Sequence, residues 1–158
     1  MKTRTTKARA KSGGSASRKK IRELMTPEVV VVSPDDTLQI AARKMQQRDI
    51  GFLPVCDGQR LIGTLSDRDI TIRAVAEGRD PKSTPVREFA SPHPIWCFDD
   101  QDVGEAAQRM QDEQVRRLMV LRREDKHLVG VVSLGDLAAG GTREISSDVL
   151  ESTSPAVD

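Results

Sequence analysis

The heptapeptide Ile21-Arg22-Glu23-Leu24-Met25-Thr26-Pro27 returns 65 residues later as Val86-Arg87-Glu88-Phe89-Ala90-Ser91-Pro92. The correspondence continues, because Leu38, Ala41, Ala42 and Met45 recur at the same offset as Val103, Ala106, Ala107 and Met110. A two-residue insertion then shifts the offset to 67. At that spacing Gly63-Thr64-Leu65-Ser66-Asp67-Arg68-Asp69-Ile70 is matched by Gly130-Val131-Val132-Ser133-Leu134-Gly135-Asp136-Leu137. A duplicated unit that keeps its apolar pattern and a small polar cluster predicts two like halves packed together, each supplying a related site. At 158 residues the chain is long enough for both halves to share a real core.

Within the first unit, Ile21 to Met25 reads as a short helix ended by Thr26-Pro27, and the β-branched run Val29 to Val32 as a buried strand. Asp35 and Asp36 offer capping oxygens to a helix whose residues Leu38, Ala41, Ala42 and Met45 share one face. Phe52 to Cys56 and Leu61 to Leu65 are apolar runs separated by Asp57-Gly58-Gln59-Arg60, a hairpin signal. Ser66 starts a second helix running to about Ala76 and stopped at Gly78. The predicted class is α/β in the α+β sense, with two β-α-β-β-α repeats. Their spans are 21–78 and 86–138, joined by a polar, proline-bearing linker at 79–85 and flanked by a basic tail at 1–20 and a Gly-, Ser- and acid-rich tail at 139–158.

Charge divides the chain. Residues 1–20 carry eight Lys or Arg and no acid, leaving 17 bases against 24 acids, a net of −7, for the rest. An acidic body argues against broad nucleic-acid binding by the core, although the tail retains the charge for weak contact. The tail has too little apolar surface to offset ordering entropy, so it is expected to be disordered. No run of about 18 apolar residues and no signal-peptide core appears, so no membrane contact and a cytoplasmic location are expected. Cys56 and Cys97 lack metal-ligand spacing and read as buried thiols.

The sharpest local signal is Gly, two β-type residues, Ser, any two residues, Asp, found at Gly63–Asp69 and Gly130–Asp136. Ser-x-x-Asp at a strand-to-helix turn is what a helix start needs by itself, with Ser as cap and the acid at the positive end of the dipole. The same geometry suits a ligand. A carboxylate in the first turn can accept two hydrogen bonds from a vicinal diol, free N–H groups and Arg68 can meet a phosphate, and the preceding glycine permits close backbone approach. Arg116 and Arg117, at the start of the matching strand, carry the corresponding charge in the second unit.

With these residues in view, the chain resembles a tandem pair of cystathionine-β-synthase (CBS) domains, the Bateman module. Ile50-Gly51-Phe52-Leu53-Pro54-Val55, Gly63 to Ile70, Val115-Arg116-Arg117-Leu118-Met119-Val120 and Gly130 to Leu137 are similar to that family's strand and turn motifs, and the likeness spans about residues 20 to 138. The resemblance implies a pseudo-twofold module whose two clefts bind adenosine derivatives such as AMP, ADP, ATP, NAD or S-adenosylmethionine, and a homodimer. It assigns ribose to Asp69 and Asp136, and turn or phosphate contacts to Ser66, Arg68 and Ser133. The adenine near Asp136 would meet Val30, Ile50 and Gly51 from the opposite repeat, and the one near Asp69 would meet Ile95 and Val115.

The clefts are not expected to be equivalent, since Gly51 and Pro54 become Arg116 and Met119. Catalysis has little support: His93 falls in a proline-rich turn and His127 in a charged hairpin, neither with a partner at metal spacing. No metal and no catalytic cofactor are expected. Trp96, in the second unit's first strand, reads as core. The function expected is a nucleotide sensor acting through dimer or partner contacts. Its alternative is a ligand-independent dimerisation or interaction scaffold whose basic tail meets an acidic partner or nucleic acid.

Overall fold

The computed structural model of the chain describes residues 19–140, so the expectations for residues 1–18 and 141–158 lie outside the described residues. In the first half, helix α2 (Leu38–Arg48) lies against the antiparallel hairpin β1 (Phe52–Asp57) and β2 (Arg60–Ser66), which is followed by a π-helix at Asp69–Val75. The second half holds β3 (Trp96–Phe98), α3 (Val103–Asp112), β4 (Arg117–Leu121), β5 (Leu128–Ser133) and α4 (Leu134–Gly140). Here β3 runs parallel to β4, and β4 pairs antiparallel with β5. The fold is thus two like α/β units, as the repeat predicts. Among the described residues no helix is long and apolar enough to cross a membrane.

The units exchange their leading segments. Helix α1 (Ile21–Leu24) precedes the first repeat, yet Ile21 is 0% exposed within the second half's core, beside Met110, Leu118 and Leu137. Its counterpart Val86, in a 3-10 turn at Val86–Glu88, is buried with Phe89 in the first half's core. Each such burial is worth about 2 kcal/mol, enough to fasten one repeat's start to the other's sheet. The backbone completes the exchange: Thr26 bridges Val131 on β5, and Ser91 bridges Thr64 on β2. These approaches account for Gly63 and Gly130. A Cβ at Gly63 would lie 2.8 Å from the Ser91 carbonyl oxygen, and one at Gly130 would lie 2.9 Å from that of Thr26. The glycines thus admit the close backbone approach of a neighbouring chain segment.

Capping of α2 also departs from expectation. Thr37, not Asp35 or Asp36, is the N-cap, its Oγ1 accepting from the Ile40 N–H at 3.3 Å. The linker supplies the rest: the carbonyls of Thr84 and Pro81 accept from the N–H groups of Leu38 and Gln39. Orphan donors at a helix start are thereby satisfied by a strap two turns of sequence cannot foresee. Asp36 instead receives the Ser33 N–H and lies 3.6 Å from Lys44.

Three other expectations are corrected. Of Val29 to Val32, only Val32 pairs, bridging Val55 in parallel, because the preceding residues are spent crossing from one half's sheet to the other's. Ala42 is exposed whereas its counterpart Ala107 is buried, so α2 shows the core a narrower stripe than α3. Trp96 is 36% exposed and packs edge-on against Phe98 with ring centroids 4.8 Å apart. Its place in β3 turns the indole outward, while the next residue, Cys97, enters the core.

Candidate ligand-binding clefts

Because Thr26 is tied to β5 and Val32 to β1, the segment between them must cross between the two sheets. It forms one wall of a cleft of about 530 Å³, to which it contributes Glu28, Val29 and Val30. The α2–β1 corner adds Arg48, Asp49, Ile50 and Gly51, and the second half adds Arg117, Ser133 and Asp136. Six of the residues singled out from sequence are therefore brought together here: Val30, Ile50, Gly51, Arg117, Ser133 and Asp136. The volume falls in the range of small-molecule sites, which runs from roughly 300 to 1,000 Å³.

The Ser133–Asp136 turn is reciprocally capped. Asp136 Oδ2 accepts from the Ser133 N–H at 2.7 Å and from its hydroxyl at 2.8 Å, and the Asp136 N–H donates back to Ser133 Oγ at 3.1 Å. Capping thus occupies Oδ2, and no hydrogen bond or ion pair to Oδ1 occurs among the described residues. Capping and ligand contact, which compete as explanations in the sequence, are compatible at this carboxylate: one oxygen holds the helix start while the other can accept from a hydroxyl in the cleft. Gly51 is also required. A Cβ there would lie 2.7 Å from Asp67 Oδ2, across a turn closed by the Asp67 N–H donating to the Gly51 carbonyl at 2.9 Å.

The pseudo-equivalent cleft differs. It encloses about 270 Å³ and is lined by Phe52, Thr64, Ile95, Val115, Arg116 and Arg117, with Met119. Ile95 and Val115 are therefore together, but Ser66, Arg68 and Asp69 do not line it. The turn is capped as in the other half, with Asp69 Oδ2 accepting from the Ser66 N–H at 2.9 Å and Ser66 Oγ accepting from the Asp69 N–H at 3.0 Å. Asp69 Oδ1, however, faces the Arg73 guanidinium at 3.8 Å. The residue matching Arg73 at the offset of 67 is Gly140, which carries no charge to offer Asp136. Arg68 is exposed on the first turn of its helix. Arg116 stands where the first repeat has Gly51, and its carbonyl likewise closes the turn by accepting from the Leu134 N–H at 2.9 Å.

Charged residues missed by the sequence reading frame the larger cleft. Glu28 and Asp49 both have positive φ, 57° and 52°, which places them at sharp turns on the rim. Arg48 ends α2 beside them. The one sequence cue was the repeat itself, since residues 26–30 had to meet whatever their counterparts 91–95 met in mirror fashion.

Cys56 and Cys97 are free thiols, buried in separate halves. Burial pushes Cys56 up to about 11 and Cys97 to about 12, so both stay protonated at neutral pH. Among the described residues no three His, Cys, Asp or Glu side chains gather into a group that could hold a metal ion. His127 Nδ1 lies 3.2 Å from Asp125 in the β4–β5 hairpin, away from both clefts.

Known proteins resemble this chain in sequence and in overall fold. The CBS-domain protein YhcV of Bacillus subtilis (strain 168) is 41% identical over 118 residues, covering 75% of this chain and 82% of that protein. Hypoxic Response Protein I, solved with two coordinated zinc ions, superposes with a TM-score of 0.69 at 36% identity, covering 77% of this chain and 98% of that one. The CBS domain protein PAE2072 from Pyrobaculum aerophilum, complexed with AMP, superposes with a TM-score of 0.67 at 27% identity, covering 84% and 99% respectively. The CBS-domain model itself matches twice, at residues 21–75 and 86–140, and the chain belongs to the CBS-domain family.

Proposed function

We propose that this chain is a regulatory module that binds an adenine nucleotide in the Asp136 cleft. The observation that carries the reading is the convergence, in one cleft of about 530 Å³, of apolar residues from the first repeat with a half-engaged carboxylate from the second. Val30 and Ile50 suit the faces of a base, Asp136 Oδ1 suits a ribose diol, and Arg117 with Arg48 supplies cationic donors for phosphate. The AMP complex of the Pyrobaculum aerophilum relative supports an adenosine-containing ligand. AMP, ADP, ATP, NAD and S-adenosylmethionine remain the class to be tested. The smaller cleft is the weaker candidate, since it encloses about half the volume, Asp69 does not line it and Asp69 Oδ1 faces Arg73.

Signalling would run through contacts with a second copy or another protein, because a ligand shifts conformation only through unequal affinity for two states. The observation favouring a homodimer is apolar exposure on the outer helix of the first half, where Ile72 is 52% and Val75 61% exposed. Light scattering of the wild type and of Ile72→Lys tests this; an unchanged mass sinks that surface.

A thermal-shift series with the five adenine compounds tests the binding reading, since a ligand preferring the native state raises its melting temperature. A rise with at least one compound, lost in Asp136→Ala, is the expected result. No rise with any at millimolar concentration would overturn it in favour of the interaction scaffold.

A further inference from the structure

The largest groove among those described is not the nucleotide cleft. About 720 Å³ lies between α3 and β3, bounded by Trp96, Phe98, Asp102, Glu105 and Asp112, and it shares no residue with the Asp136 cleft. The repeat shows that its chemistry is not demanded by the fold. At the offset of 65, the counterparts of Trp96, Asp102, Glu105 and Asp112 are Val31, Thr37, Ile40 and Gln47, none of them acidic. Cations in the groove are already engaged: Asp100 binds Arg123 at 2.6 and 2.8 Å, and Arg109 lies 3.4 Å from Glu113. Glu105 and Asp112 make only hydrogen bonds, to the Asp102 N–H and the Gln108 amide, and no ion pair among the described residues.

The chain enters its folded body at this groove. Lys20 Nζ lies 2.7 Å from Asp102 Oδ1, the Lys19 carbonyl accepts from the Val103 N–H, and the Ile21 N–H donates to the Gln101 carbonyl. Ahead of that point stand 18 residues with six Lys or Arg and no acid. Helix α3 is ten residues long, about 15 Å, a distance that five extended residues span. Aromatic faces here already receive cations, with Arg123 4.1 Å and Lys126 4.2 Å from the Phe98 ring centroid, and the neighbouring Trp96 is exposed.

We propose that the basic segment of residues 1–18 docks in the α3–β3 groove of its own chain, extending the Lys20–Asp102 pair along α3 to Glu105, Asp112 and the Trp96 indole. Tethering favours this occupant over a free one, because a short linker holds the segment at an effective concentration in the millimolar range. Docking withholds those cations from other polyanions and leaves the Asp136 cleft untouched.

The test is zero-length carbodiimide coupling of the full chain, which joins Lys amines to carboxylates in direct contact, with the products mapped by mass spectrometry. Lys7 or Lys11 should couple to Glu105 or Asp112 within one chain, with about a fivefold loss when salt is raised to roughly 0.5 M, because screening shortens the Debye length. Glu105→Gln with Asp112→Asn should remove these products while keeping both acceptor oxygens, and an unchanged melting temperature separates that loss from unfolding. Coupling scattered over the chain's acids, insensitivity to salt, or products formed only between isotopically distinct copies would overturn the proposal.

Discussion

The Asp136 and Asp69 turns share a sequence pattern, a pair of reciprocal capping bonds and a backbone closure one strand away, yet they present different carboxylates. At Asp136 one oxygen caps and the other is free of protein partners among the described residues; at Asp69 the second oxygen faces Arg73. Gly51 lines the larger cleft and Arg116 the smaller, and the enclosed volumes are about 530 and 270 Å³. The lesson is that duplication preserves the parts that fold the turn and releases the parts that face the cleft.

Gly51→Arg should break the difference most strongly. Its Cβ would lie 2.7 Å from Asp67 Oδ2 and its side chain would enter the larger cleft, so nucleotide binding should fall by at least about 100-fold, the scale of a loss near 3 kcal/mol. Calorimetric titration measures it, with circular dichroism to show the fold retained; unaltered affinity would mean that the ligand sits elsewhere. Asp136→Ala should weaken binding by roughly 10- to 100-fold, since a hydrogen bond to a charged group contributes about 1.5–3 kcal/mol. Asp69→Ala should change affinity less than about twofold by the same reasoning. Both variants should lose about 1 kcal/mol of stability, because each removes a first-turn cap. Matching stability losses with unequal binding losses would separate the two roles of the carboxylate.

Arg116→Gly should enlarge the smaller cleft and allow a second, weaker equivalent of nucleotide to bind, seen as a rise in saturation stoichiometry. No second equivalent would mean that the Asp69–Arg73 pair, and not the arginine at the cleft, decides occupancy. The smallest contrast concerns the two cores. With thiols raised to about 11 and 12, native Cys56 and Cys97 should both resist alkylation near pH 8, Cys97 the more strongly. A raised thiol stabilises the native state below the unfolded value near 9, and that contribution is lost as pH climbs through the native values. Alkaline melting curves check the sign.

Much of this was legible in the chain. The 65- and 67-residue offsets specify two like units, the Asp57-Gly58 pair specifies the β1–β2 hairpin, and Ser-x-x-Asp specifies two capped helix starts. Those signals are local, and local geometry follows from them. The swap of α1 and the 3-10 turn between cores was not legible, because it depends on which sheet edge Thr26 and Ser91 reach. That same crossing made Glu28 part of the cleft and cost Val29 to Val31 their strand. Ala42 and Trp96 misled for a related reason: periodicity identifies a face, and the neighbouring elements decide how wide a face is covered.

The proposed module has one working cleft per chain, at Asp136. Calorimetric titration of the full chain with AMP, or with whichever adenine compound gives the largest thermal shift, counts sites directly. One equivalent bound per chain, lost in Asp136→Ala and kept in Asp69→Ala, is the predicted result. Two equal sites per chain, or a single site that disappears in Asp69→Ala, would contradict the account.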